Sequence, residues 1–352
     1  LMEKPKRLVY VDLINVLAIF GVLVIHSSWN KGSASLELSS ALLRNIFAPA
    51  VFLFIMNSGA TLLDYREKYS TKTFLNKRIH RVVLPFVFWS VIYYLVGGFL
   101  RNPLPNVNFT VAKPSLLNFL TTFLSGDING AFWFFYCMIT LYLITPILSV
   151  LVKDHLNLMF YWVCLDFVVS FLIIYLNNNS WHLTLNQYLF PLNATNYVSF
   201  FMMGYLLRVG YFKPVTLKYL AVFGGVSIGI MLLLAGLAVK FNLDPLLANL
   251  GSYGGPLLFV YTIGAAVFLQ KLGTKLGFFQ RRQVQKVLAA LSSLSLGVYI
   301  LHPFFLKLFF VLTGTAYTSW LDLLVMPIFT YVLCGLAVYL LKKIPYVKTI
   351  LP

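Results

Sequence analysis

The sequence predicts an all-α membrane protein, a polytopic transmembrane helical bundle of about ten helices with both termini cytoplasmic. Three observations lead there. The 352 residues are 60% hydrophobic and only 11% charged, and the mean hydropathy is +0.83, far from the balance of a soluble domain. Apolar windows of roughly 20 residues, the length that carries a helix across about 30 Å of hydrocarbon, recur along the whole chain. The windows lack the short alternation of barrel strands, and lipid offers an open backbone no hydrogen-bond partner, so helices are expected.

The first span, near 8–29, follows Lys4, Lys6 and Arg7. It is long and has no small-residue cleavage pattern, so it is expected to stay as the first helix. The second, near 40–62, stops before a basic run from Arg66 to Arg81, and the third, near 81–100, starts where that run ends. The fourth, near 131–152, ends at Lys153, and the fifth, near 157–176, carries Asp166. The sixth, near 195–210, closes on Arg208, and the seventh, near 219–239, opens after Lys218. The eighth, near 253–270, stops at Lys271, the ninth, near 287–311, follows Lys286, and the tenth, near 321–341, ends at Lys342 and Lys343. Alternate connections therefore hold about 21 of the 27 basic residues, which marks that side as cytoplasmic.

This asymmetry accounts for the net charge of +17, with anionic lipid headgroups as the counter-charge. No single basic patch interleaved with aromatics is present, so nucleic acid is not an expected partner. Cys137, Cys164 and Cys334 fall inside spans without metal-ligand spacing and read as small packing residues; no metal is expected. The longest polar intervals, roughly 101–130 and 177–194, are too short for an independent core, so residues 1–352 form a single membrane-embedded domain. Either interval could line an approach for a polar substrate.

Chemistry must then sit within the bundle. Asp12, Asn15 and His26 share the first span, and at 100° per residue they fall within a sector of about 60°. The ninth span runs in the same direction as the first, so His302 reaches a depth similar to His26. An ionisable group in a span is costly unless it faces a protein interior or a water-filled cavity. A histidine can take a proton from a hydroxyl at neutral pH. Each also has a plainer reading, a packed ring bonded to a backbone carbonyl, and Pro303 frees such a carbonyl one turn before it. Asp166 reads equally as a structural or a functional carboxyl, and Asp12 as a helix-end charge or the partner of a basic group. Arg78 and Arg81 lie where a cytosolic phosphorylated donor would arrive and could grip its phosphates, although such clusters also serve as topology signals.

Taken together, VDLINVLAIFGVLVIH, FLFIMNSGATLL, KRIHRVVLPFVFW, AFWFFYCMITLYLITPIL, FFMMGYLL and SLSLGVYILHP resemble acyltransferase family 3, integral membrane acyltransferases many of which O-acetylate cell-surface glycans. The resemblance spans nearly the whole chain. It implies transfer of an acetyl or other short acyl group from cytosolic acyl-CoA to a hydroxyl of an envelope glycan or glycolipid, in the bacterial cytoplasmic membrane. It implies His26, His302 and Asp12 as the catalytic set. Arg78, Arg81, Asn15, Ser58 and Trp133 would engage acetyl-CoA. Two positions depart from the family pattern: Asn15 stands where relatives carry an arginine eleven residues before the first-span histidine, and Ala131 and Phe132 stand where a histidine often precedes Trp-Phe. The alternatives are a glycolipid or polysaccharide transporter that uses the same polar groups without covalent chemistry, and a partner protein that has lost activity.

Overall fold

The computed structural model describes residues 7–99, 114–181, 196–241, 243, 247 and 249–351. It is 82% helical with no strand among these residues, and eight helical runs are long and apolar enough to cross a membrane. The principal helices are α1 Val9–Ser27, α2 Ala34–Phe47, α3 Ala50–Leu62, α4 Thr71–Arg78, α5 Leu84–Phe99, α6 Leu116–Ser125 and α7 Trp133–Leu148. They continue with α8 Leu156–Asp166, α9 Asn196–Arg208, α10 Pro214–Lys240, α11 Pro256–Lys275, α12 Arg282–Ser292, α13 Ser295–Thr313 and α14 Met326–Leu341.

Every expected span has a helical counterpart, with differences that have local causes. The sixth and tenth are α9 and α14, of 13 and 16 residues; α14 restarts at Met326 with Pro327 in its first turn, where a missing N–H is harmless. The ninth span is not continuous from residue 287. It breaks at Ser293–Leu294 into an amphipathic α12 and the buried α13, and Lys342 Nζ donates to the carbonyl of Ser293 at the break, 2.7 Å away. The interval 101–130 is not all irregular: Ser115 caps α6 by accepting from Asn118 N, and Gly126, at φ 81°, ends it in the left-handed conformation that glycine adopts freely. Residues 101–113 of that interval, and residues 182–194 of the interval 177–194, lie outside the described residues.

Helix α1 is the hub, packed against α2, α3, α11, α12, α13 and α14, and its Ile19 and Leu23 are fully buried. Small residues set how closely its neighbours approach. A Cβ on Gly59 of α3 would lie 1.7 Å from the carbonyl oxygen of Phe201, and one on Gly204 of α9 would lie 1.9 Å from that of Met56. The two backbones therefore touch, the arrangement by which apolar helices gain dispersion contact when lipid supplies no hydrophobic drive. Gly224 and Gly264 bring α10 onto α11 in the same way. Cys334 is buried, Cys137 half-buried and Cys164 exposed, all as free thiols.

Asp166 is fully buried in α8 and accepts from Ser170 Oγ at 2.6 Å and from Ser199 Oγ. It thereby ties α8 to α9. No cation pairs with it among the described residues.

Candidate active site

Two cavities lie along the α1, α7 and α13 seam. The first, of about 220 Å³, has a polar wall of Asn15, Asn57, Ser58, Thr61, Tyr142 and Ser295 and an apolar wall that includes Phe135 and Met138. The second, of about 310 Å³, is lined by His26, Trp29, Asn129 and His302, with Ala131 and Pro303 among its apolar residues. Tyr299 stands between them. It lines the first cavity, its hydroxyl donates to Ala131 O at 2.6 Å, and its carbonyl meets His302 of the second cavity.

The histidines expected at a shared depth are neighbours, with ring centroids 5.0 Å apart and planes tilted by 41°. Pro303 organises this pair. In a regular helix the N–H of residue 303 would bond the carbonyl of Tyr299, but proline has none. His302 Nδ1 takes the vacated position, 2.6 Å from Tyr299 O. A carbonyl can only accept, so Nδ1 carries the proton and Nε2 is left as the ring's acceptor. The ring is held by its own backbone, with the residue only 1% exposed. The plainer reading of His302 and the functional one are thus compatible, because the bond to the carbonyl sets the tautomer a proton acceptor needs.

Asn15 lines the first cavity. Its Oδ1 accepts from Asn57 Nδ2 at 3.0 Å and its Nδ2 donates to Ser292 Oγ at 3.1 Å. The amide therefore links α1 to α3 and α12, and Asn57 adds a second bond to Val11 O. Ser58 lines the same cavity. Arg78 is half-buried and does not line this cavity; its guanidinium lies 5.8 Å from the centre of the ring of Tyr142, which does, and its Nε has no hydrogen-bond partner among the described residues. Arg81 is exposed and lies near Lys342. Burial, and after it the charges of Arg81 and Lys348, lower the Lys342 ammonium from its ordinary value. Lys342, which the sequence had offered only as a topology signal, thus joins Arg81 in a basic cluster.

Arg81, like Arg78, lines neither cavity, and two further expected site residues also stand apart. Asp12 holds Arg7 through Nε at 2.6 Å and Nη2 at 2.8 Å, which raises the guanidinium above its usual value, and Arg7 also reaches Ala289 O. Asp12 is fourteen residues, about 21 Å of helix, from His26 and lines neither cavity. Its geometry is that of a clamp between α1 and α12. Trp133 likewise lines neither cavity; its ring packs against Tyr197 and Tyr253 at 5.6 and 6.3 Å. Conversely, Trp29, Asn129, Asn57 and Tyr299 emerge only in three dimensions. Of these, Asn57 and Tyr299 lay inside the recognisable segments without attracting notice, while Trp29 and Asn129 lie in connections.

Among the described residues no group of three His, Cys, Asp or Glu is arranged to hold a metal. No curated protein and no solved structure matches the chain. The acyltransferase domain of acyltransferase family 3, however, matches residues 8–341. Two cavities along the seam and a histidine pair beside one of them, in a multi-pass helical bundle, accord with that match, and the chain belongs to this family of membrane acyltransferases.

Proposed function

We propose that the protein moves a short acyl group, acetyl in the first instance, from cytosolic acyl-CoA to a hydroxyl of an envelope glycan or glycolipid, from within the bacterial cytoplasmic membrane. The observation that carries this reading is the His26–His302 pair, with ring centroids 5.0 Å apart in the wall of the second cavity, which Tyr299 links to the first through its bonds with Ala131 and His302. Such a pair between two approaches suits a reaction whose partners arrive from opposite sides.

Arg78, Arg81 and Lys342 would hold the phosphates of the donor by charge-assisted bonds. The first cavity, with Asn15 and Ser58 on its polar wall, would take the thioester arm. The acceptor would enter the second cavity beside Trp29. His26 then accepts the proton of the acceptor hydroxyl as its oxygen attacks the thioester carbonyl carbon. His302, with its tautomer fixed, orients His26 or the hydroxyl through Nε2. The adduct collapses with cleavage of the carbon–sulfur bond, and the proton passes from His26 to the departing thiolate. Direct transfer needs no acyl-enzyme.

A passage for glycolipids without covalent chemistry is disfavoured by the family, whose activity is acyl transfer. The test is to incubate the purified protein with acetyl-CoA radiolabelled in the acetyl group and a purified envelope glycan. Label on the glycan, removable by mild base as an ester, supports the reading. Translocation of glycolipid without labelling contradicts it.

A further inference from the structure

The second cavity holds a donor that the proton transfer leaves unused. Asn129 is only 1% exposed and lines the cavity with both histidines. Its Oδ1 accepts from Ala131 N at 2.9 Å, capping the turn that leads into α7. This bond assigns the two ends of the amide: oxygen toward the turn, Nδ2 away from it. Nδ2 is buried and has no hydrogen-bond partner among the described residues. A buried amide N–H left unpaired loses its hydration without replacement, so such a group calls for an explanation, of which a bound ligand atom is one.

Three further features bear on what it binds. Asn129 sits at the N-terminal end of the run opening α7, where backbone dipoles favour negative charge. It is also joined to the histidine pair by a continuous chain of bonds: Asn129 Oδ1 to Ala131 N, Ala131 O to the Tyr299 hydroxyl, and Tyr299 O to His302 Nδ1. The amide and the His302 ring are therefore held in one frame. Finally, an amide N–H can only donate. The attacking hydroxyl needs an acceptor for its proton, which the histidines supply, whereas the thioester carbonyl oxygen gains charge and needs a donor.

We infer that Asn129 is a catalytic residue whose Nδ2 donates to the acyl carbonyl oxygen as it becomes an oxyanion during transfer. The inference rests on the acyl-transfer reading above. As the acceptor oxygen bonds to the carbonyl carbon, the carbonyl electron pair moves onto its oxygen and is held by Nδ2. It returns when the carbon–sulfur bond breaks, and the thiolate leaves with the proton carried by the histidine. Preorganised donors of this kind act on the transition state more than on the bound substrate.

The test is steady-state transfer from radiolabelled acetyl-CoA to the purified envelope glycan by wild type, Asn129→Asp and Asn129→Thr. Both replacements keep an oxygen that can cap the turn, and neither has the amide donor. The expected result is a loss of about 10²–10³-fold in kcat for both, with KM for each substrate and the melting temperature of the full-length protein in detergent near wild type. Wild-type kcat in Asn129→Asp, whose carboxylate cannot donate, would reduce Asn129 to a cap and overturn the inference. A raised KM for the glycan with kcat retained would assign the amide to the acceptor instead and overturn it as well. Absence of transfer by the wild type itself would remove the acyl-transfer reading and this inference together, an outcome distinct from a wild type that works beside variants that work equally well.

Discussion

Replacing Pro303 with valine tests whether the missing N–H of a proline organises the histidine pair. Valine is apolar and keeps bulk against the second cavity, which Pro303 lines, but it restores an N–H at the position where the helix would bond Tyr299 O. That carbonyl is now held by His302 Nδ1 at 2.6 Å, and the backbone N–H would compete for it. A net hydrogen bond is worth about 0.5–1.5 kcal/mol. If it holds His302 in the working tautomer and pose, its loss should lower kcat by about 2–12-fold. The helix itself should gain, because proline is about 3 kcal/mol worse than alanine in a helix interior and valine far less so. The expected outcome is therefore a protein that melts higher yet transfers more slowly, read by detergent melting and initial rates side by side. A variant with raised stability and unchanged kcat would refute the claim that Pro303 acts through the His302 ring.

The remaining expectations concern the donor mouth and the packing. Arg78→Ala and Arg81→Ala should each weaken acetyl-CoA binding by about tenfold or more in calorimetry, since charge-assisted bonds contribute about 1.5–3 kcal/mol; unchanged affinity in both would leave the pair as topology signals. Lys342 has its proton affinity lowered by burial and by Arg81, so it should lose its charge below the ordinary lysine range and donor affinity should fall as pH rises toward it. Arg81→Gln should move that alkaline decline to higher pH, and an unmoved profile would detach Lys342 from donor binding. Asn15→Arg keeps a donor for Ser292 Oγ and adds a cation to the first cavity, so the variant is expected to fold and to bind donor at least as well as wild type. A folded variant with no donor binding would remove Asn15 from the donor path. Gly204→Ala would set a methyl 1.9 Å from Met56 O. Overpacking of this kind costs about 1–3 kcal/mol or more, and a wild-type melting temperature would contradict the backbone contact between α3 and α9.

The spans were legible because hydrocarbon thickness imposes one length on every crossing helix, and the shared depth of His26 and His302 followed from rise per residue and direction, whereas their meeting side by side needed the packing of α1 on α13. Asn15 was legible as a face of α1, by the 100° rotation that also carries His26. The orphan carbonyl before Pro303 was foreseeable too, since proline's effect is local, but its occupant, the His302 ring itself, was not. Other features depend on tertiary packing, which spacing does not report. Trp133 turns toward Tyr197 and Tyr253 because α7 packs with its other face on the cavity, and Asp12 meets Arg7 instead of the histidines because a helix keeps residues fourteen apart on one face but far apart in depth. The break at Ser293–Leu294 was hidden because α12 has an apolar stripe that continues the hydropathy of α13. Asn129 was read as part of a polar connection, and its isolation as a donor became visible only once Ala131 N was seen to occupy its oxygen.

The claim at the centre of this account is that His26 takes the acceptor's proton, and a single-turnover comparison of wild type with His26→Ala tests it most directly. The protein is loaded with radiolabelled acetyl-CoA, mixed with the envelope glycan and sampled for label on each component. The account predicts that the variant inserts, melts near wild type and binds acetyl-CoA normally, while label fails to reach the glycan above the background rate. Transfer by His26→Ala at a rate near wild type would contradict it.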